Sequence, residues 1–389
     1  MSLTEKRVYL EAIKRRYRQA GRNKKSGILD EFCAVCGYNR KYAIRILRKR
    51  RLKKRLKPGR KPWYDPKTIL EPLKAIWLAT DQMCSKKLKV AIREWLPHYE
   101  AEQGDLDDLI RFQLYGISPP TIDRLLKPLR IHYPTKGLCG TKPGRLLKNQ
   151  IPIKTDNWDI TQPGFMETDT VAHCGNSLAG NFVWSLTMTD ILTAWTECRA
   201  TWNKGAAGVV KRIENIEKSL PFKLLGCDCD NGSEFLNHHL IRYLMKRDRP
   251  VQFTRSRAYH KNDNAHVEQK NWTHVRHLFG YDRFENPALV DLMNDLYANE
   301  WSLYQNHFCP VMKLIEKKKI NSHYYKRYSK PMTPYYRVLS LPHISEETKA
   351  KLRAQHKTLN PFELKRIIDK KLKRIFELVT ITSKVRNRL

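Results

Sequence analysis

Long apolar runs are missing from this chain. No stretch approaches the ~18–20 consecutive apolar residues that a membrane span needs, and the first thirty residues hold no secretory h-region. A disulfide scaffold is excluded too: the nine cysteines fall in no framework-like spacing and read as reduced thiols of a cytoplasmic protein. Cys33 and Cys36 form a CxxC pair, yet no histidine precedes His98 and no second CxxC follows. A four-ligand zinc site therefore has no obvious partners, and both thiols are expected on the buried side of a helix. What is present is 389 residues, 41% hydrophobic and 10% aromatic. That is enough for two to four domains at ~100–200 residues each, and it excludes wholesale disorder.

Acidic residues are scarce at both ends. Residues 1–64 carry 22 Lys/Arg against 4 Asp/Glu, residues 317–389 carry 20 against 5, and residues 65–316 carry 32 against 30. A near-neutral centre between two basic ends implies a folded core flanked by modules that hold a polyanion, with nucleic acid the first candidate. Charge alone leaves a ribosomal or membrane-surface protein open.

The N-terminal segment, 1–57, repeats Ile28, Leu29, Phe32, Val35 and Cys36 at helical spacing up to Gly37, and a second helix is expected from about 39 to 50. Two short helices around a glycine turn fit a helix-turn-helix, with Arg40, Lys41 and Arg45 on the helix that enters a major groove. A plain helical hairpin with a basic surface remains the alternative. Residues 58–65 form a basic Pro/Gly linker whose Arg60 and Lys61 are candidates for a minor-groove contact. Residues 66–130 read as a second helical module, in which Ser118 caps a helix begun by Pro119, and Thr121 and Arg124 are outward DNA-contact candidates. Residues 131–163, rich in proline and lysine, read as a linker.

After position 163 the pattern changes. Strands are expected over 164–171, 181–189, 193–201, 222–229 and 251–255, and helices over 204–220, 233–246 and about 264–278. The order is β-β-β-α-β-α-β-α. Three acids take telling positions in it. Asp169 lies on the first strand, Asp230 ends the fourth where Asn231 and Gly232 turn the chain, and Glu268 lies one turn into the last helix. Carboxylates from strand ends and a helix start converge at one edge of a sheet, and hard oxygen donors of this kind suit Mg²⁺. Two such ions ~3.5–4 Å apart serve phosphodiester chemistry by activating a nucleophile and stabilising the leaving oxygen. Asp228 and Glu167, each two residues before an acid of the trio, are alternative ligands, and Asp263 reads as a helix cap. His173, His260 and His266 read as packing or phosphate-contact residues, and Cys174, Cys227 and Cys229 as core thiols.

With those residues in place, the chain resembles the ribonuclease H-like catalytic core shared by retroviral integrases and bacterial insertion-sequence transposases of the DDE group. Their signature is an Asp, then Asp-Asn-Gly, then a Glu about 35 residues on. Here 37 residues separate Asp230 from Glu268. The segments Asp169 to Gly175 and Tyr259 to Trp272 are similar to one transposase subgroup. The resemblance covers about 150–320, implying a core over 164–316. It implies an α/β ribonuclease H-like core flanked by all-α helix-turn-helix-type N-terminal modules and a basic helical C-terminal region. It also implies a DDE transposase that binds element ends, cuts DNA and joins the 3′-hydroxyls to target DNA, using two Mg²⁺ (or Mn²⁺) ions on Asp169, Asp230 and Glu268. A homo-oligomer on double-stranded DNA, nucleoid-associated in the cytoplasm and away from any membrane, follows from the same resemblance.

Two departures mark this sequence. The His/Cys zinc module of retroviral integrases is absent, and Trp272 stands where integrases often carry a lysine four residues after the glutamate. Asn271, three residues after it, does match. Lys261, Lys270 and Arg276, or Arg255 and Arg257, are therefore expected to grip the DNA instead. Beyond the core, helix is expected to continue over 281–316, and residues 317–389 read as a basic helical region ending in two helices, about 345–355 and 361–379. A nuclease or resolvase that cuts without joining, and a transposase-derived DNA-binding protein that no longer catalyses, are the competing functions.

Overall fold

The computed structural model describes residues 3–48, 63–131, 160–229, 235, 238–255, 265–320 and 323–386. The chain divides into two compact units, Met1–Trp63 and Tyr64–Leu389.

The first unit packs α1 (Leu3–Gln19), α2 (Arg22–Cys36) and α3 (Arg40–Arg48) around Ile13, Tyr17, Ile28, Leu29, Phe32, Cys36, Ala43 and Leu47. Gly37 ends α2 because it takes a left-handed conformation, φ 65°, and its N–H returns to the Cys33 carbonyl. Asn39 then accepts the Lys41 N–H at 3.0 Å, so only three residues separate the end of α2 from the start of α3. Cys36 is buried and Cys33 partly buried, as the helical spacing predicts.

The second unit is built on a five-stranded sheet in the order β3-β2-β1-β4-β5. Strands β1 (Phe165–Ala172), β2 (Val183–Asp190) and β3 (Thr196–Trp202) form an antiparallel meander. Strands β4 (Gly226–Cys229) and β5 (Gln252–Arg255) then run parallel to β1, each reached by a crossover. The crossover helices are α8 (Ala206–Ser219) and α9 (His238–Met245). The element order expected from the sequence is the order observed.

Side-chain alternation sorts the sheet into two faces. Met166, Leu186, Met188, Cys227 and Cys229 bury against Val209, Ile213 and Ile216 of α8 and Leu240 and Leu244 of α9. The alternate residues Val171, Val183, Cys198 and Ala200 point the other way, into a larger core. That core takes in α4 (Pro66–Ala79), α5 (Ser85–Gln103), α6 (Asp108–Gly116) and α7 (Pro119–Leu126). The 66–130 helices, expected as a separate module, thus share apolar contacts with the sheet. Trp95 on α5 is fully buried, and its indole N–H donates to the Phe308 carbonyl at 3.3 Å.

On the same side, α10 (Ala265–Lys270) runs on through a π-helical turn, Asn271–Arg276, into His277–Phe279. Helix α11 (Leu289–Leu296) likewise leads into π-helical turns at Tyr297–Trp301 and Tyr304–Phe308. Helix, expected over 281–316, starts only at Leu289 and gives way to strand at Leu314. β6 (Leu314–Ile320) and β7 (His323–Tyr328) form a separate antiparallel pair. The β-branched and aromatic residues Ile315, Ile320, Tyr324, Tyr325 and Tyr328 suit a strand ribbon better than a helix stripe. Three helices close the chain: α12 (Pro334–Ser340), α13 (Glu346–Thr358) and α14 (Pro361–Arg386). Leu364, Ile368, Leu372 and Ile375 of α14 join the larger core.

Candidate active site

The site lies where α10 crosses the larger-core face of β1. Alternation on β1 turns Glu167, Asp169 and Val171 to that face, the first two as acids and the third into the apolar core. Glu167 is buried, and its Oε2 accepts the backbone N–H of Val267 at 2.9 Å. This carboxylate satisfies one of the free N–H groups in the first turn of α10, where the helix dipole also favours negative charge. One turn further, Asn271 Nδ2 donates to Asp169 Oδ2 at 2.7 Å. Two acids spaced by two on the strand therefore hold points spaced by four on the helix.

Glu268 lies between those two anchors. At 100° per residue it stands about 60° round the helix from Asn271, so it shares the flank of α10 that meets Asp169. Glu268 is exposed and Asp169 partly exposed. Asp169 Oδ1 also accepts the Thr170 N–H at 2.7 Å, so each of its oxygens is oriented by a donor among the described residues. Asn271 Oδ1 is buried with no hydrogen-bond partner among the described residues.

Asp230 lies outside the described residues. Cys229, just before it, pairs with Thr168, just before Asp169. Asp228, the alternative ligand, is buried on β4 opposite Glu167, and its Oδ1 accepts the Thr254 hydroxyl at 2.7 Å.

No family model matches the chain. Over 338 residues it is 38% identical to the uncharacterised protein y4rM of Sinorhizobium fredii, covering 86% of this chain and 95% of that one. The chain belongs to the y4rM family. Among solved structures, it is similar to the catalytic core domain of BIV integrase, with 13% identity and a TM-score of 0.27 over 44% of this chain and 91% of that one. It is also similar to the HTLV-2 integrase catalytic core domain in complex with magnesium in its dimeric form, with 15% identity and a TM-score of 0.28 over 38% of this chain and 90% of that one.

In this y4rM-family chain the residues expected to grip DNA divide sharply. Lys270 does not belong with them: it is 4% exposed beneath α10, where burial, with Lys87 adding repulsion, pushes its ammonium down to about 7. The reason is legible afterwards, because Val267, Lys270, His274 and Leu278 follow helical spacing and all four are buried. Arg276 is half-buried, with its guanidinium 4.5 Å from the Tyr281 ring. Arg124 is exposed on α7 and donates to the Thr121 hydroxyl at 2.9 Å, while Thr121 itself is buried rather than outward. Ser118 caps α7 as expected. In the first unit, Arg40 pairs with Asp30 and donates to Ser26 Oγ at 2.9 Å. Lys41 is exposed, and Arg45 lies 5.1 Å from the Tyr42 ring. Arg255 closes β5. Arg60, Lys61, Arg257 and Lys261 lie outside the described residues. Glu167 is the site-facing residue whose structural role the sequence conceals. The sequence marks it only as an alternative ligand, because a strand acid that caps a helix 100 positions away leaves no local signal.

Proposed function

We propose that the chain is a metal-dependent DNA transferase of the integrase and transposase type, cutting element ends and joining the 3′-hydroxyls to target DNA. The observation that carries this is the hydrogen bond from Asn271 to Asp169, which brings the helix bearing Glu268 against the strand bearing Asp169. Asp230 is the proposed third acid. It follows Cys229, whose partner Thr168 precedes Asp169 in the register of β1 and β4.

The donor chemistry fits Mg²⁺ or Mn²⁺. Asp169 and Glu268 are hard oxygen donors open to solvent, and Asp169 is already oriented by two N–H donors. When bound, two such ions stabilise charge on the attacking and leaving oxygens of an in-line displacement. The chain's own residues orient and support. Glu167 anchors the start of α10, Asn271 fixes the Asp169 carboxylate, and the buried core beneath α10 holds that helix against the sheet. The basic segments at either end are proposed to hold duplex DNA as a homo-oligomer assembles on it, with Arg40, Lys41, Arg45 and Arg124 among the contacts.

The test is a strand-transfer assay with Mg²⁺ or Mn²⁺, labelled DNA spanning the boundaries of the element that encodes the chain, and a plasmid target. Joined products from the wild type and none from Asp169→Asn or Glu268→Gln are expected. Metal-dependent cuts without joining would replace this function with a nuclease. Duplex bound but left equally intact by all three proteins would reduce it to DNA binding.

A further inference from the structure

Strands β6 and β7 stand apart from the five-stranded sheet as a two-stranded ribbon. Such a ribbon is marginal alone in water, so its composition bears on what covers it. Residues 314–328 hold five Lys/Arg, one Asp/Glu and three tyrosines. In the register, Lys318 stands opposite Tyr325 and Glu316 opposite Arg327, on one face. Glu316 accepts Lys318 Nζ at 2.6 Å and Arg327 Nε at 3.3 Å, which holds the two cations side by side. Both nonetheless stay about two-thirds exposed, at 68% and 69%. Tyr325 on that face is 60% exposed. Alternation sends Lys326 and Tyr328 to the opposite face, where both are exposed as well.

A ribbon built to pack on its own chain would bury one face. This one offers cations and aromatic rings on both, which suits a partner that surrounds it. Two strands ~4.8 Å apart with side chains on either side match a B-DNA major groove ~12 Å wide, and overfill a minor groove of ~6 Å. The net charge complements the phosphates that wall the groove on both sides.

We propose that the β6–β7 ribbon is a DNA-reading arm that lies in the major groove of duplex DNA. Lys318, Lys326 and Arg327 would contact phosphates or guanine edges, and Tyr325 and Tyr328 the sugar and thymine-methyl surfaces. This rests on the proposed function only in taking duplex DNA as the substrate. It needs neither metal nor cleavage.

The experiment uses the full chain in EDTA with a short mixed-sequence duplex, titrated with salt and probed by dimethyl sulfate at guanine N7. The variant Lys318→Ala/Lys326→Ala/Arg327→Ala is compared with Lys211→Ala/Lys223→Ala/Lys246→Ala, which removes equal charge from exposed positions in the near-neutral centre of the chain. The ribbon variant should bind at least about tenfold more weakly, with the log–log salt slope shallower by about 2.7 for three lost phosphate contacts. It should also lose N7 protection that the wild type and the central-lysine variant retain. Equal losses in the two variants, an equal loss on single-stranded DNA, or unchanged N7 protection would each overturn the arm. Tyr325→Ala/Tyr328→Ala keeps every charge, and it should lose N7 protection with little change in slope; unaltered protection there counts against the groove. Failed strand transfer with these binding results intact would remove the enzyme and leave the arm. A wild type that binds no duplex removes both.

Discussion

Asn271 donates to Asp169 across 2.7 Å of space and 102 residues of sequence. Each Asp169 oxygen accepts from a donor among the described residues, Asn271 Nδ2 on one and the Thr170 N–H on the other. A carboxylate oriented in this way is held in one rotamer rather than several.

Removing that orientation should slow the chemistry without unfolding the chain. Asn271→Ala is expected to lower metal-dependent strand cleavage roughly 10–100-fold and to raise the Mg²⁺ concentration for half-maximal rate, the usual cost of losing a partner that orients a ligand. Asn271→Asp should be worse, since a second carboxylate beside Asp169 repels it and favours protonation. Rates measured across a Mg²⁺ titration decide this, and a wild-type rate in both variants would disconnect Asn271 from the site.

Acid should loosen the larger unit through His173. Its Nε2 lies 2.8 Å from Ser185 Oγ, its ring stacks 4.8 Å from Phe284, and burial, helped by Arg276, pushes it from 6.5 down to about 3. The folded state therefore keeps the ring neutral where the unfolded chain takes up a proton. The stability this contributes is complete above about pH 6.5 and is lost as pH falls toward about 3. His307, also pushed to about 3 by burial, contributes with the same sign. In His173→Gln, urea unfolding near pH 5 should depend on pH by about one proton fewer, ~1.4 kcal/mol per pH unit. An unchanged slope would mean that His173 is not the group being titrated.

Much of the central fold was legible because its signals are local. Alternating apolar residues and Gly/Pro breaks placed all five strands, and Ser118 and Gly37 marked helix ends that the structure bears out. The Asp169 strand and the Glu268 helix could be named because each acid falls inside a periodic element. What stayed hidden depends on neighbours distant in sequence. Lys270 reads as a surface cation until Lys87 of α5 and Cys198 of β3 close in around it and bury it. Glu167 reads as a spare acid until Val267 arrives above it. The β6–β7 ribbon was obscured for another reason: its lysines imitate a basic helical tail, and only pairing between the strands distinguishes the two.

Gly164 should tolerate no side chain. It precedes β1 at φ +112°, and a Cβ there would stand 2.2 Å from the Lys223 carbonyl oxygen, while the Gly164 carbonyl accepts the N–H groups of Leu225 and Gly226. Gly164→Ala combines left-handed strain with a backbone clash and should cost about 3 kcal/mol or more. Gly104 provides the contrast, with φ +95° but open space around it, so Gly104→Ala should cost only about 1–2 kcal/mol. Urea unfolding of the two variants at neutral pH gives the comparison, and equal losses would mean the Lys223 contact is relieved at little cost.

Residues 164–316, expected from the sequence to form the catalytic core, should not fold alone. Their larger-core face is completed from both sides in sequence. The Trp95 indole reaches the Phe308 carbonyl, the Tyr304 hydroxyl donates to the Ala79 carbonyl at 2.6 Å, and Phe362 of the last helix sits 5.0 Å from the Trp95 ring. Cutting the fragment free would expose Phe279, Phe284, Tyr297, Trp301 and Phe308 together, an apolar patch of the kind that drives aggregation. A fragment spanning 160–316 is expected to be insoluble or to lack dispersed amide resonances, whereas 64–389 should unfold in one transition. Trp95→Ala should lower that transition by about 3–5 kcal/mol, the cost of emptying a buried aromatic site. Hydrogen exchange followed in the same variant should quicken in β2 and β3 as much as in α5 and α14. A soluble, dispersed 160–316 fragment, or quickening confined to the helices, would show instead that the sheet stands on its own.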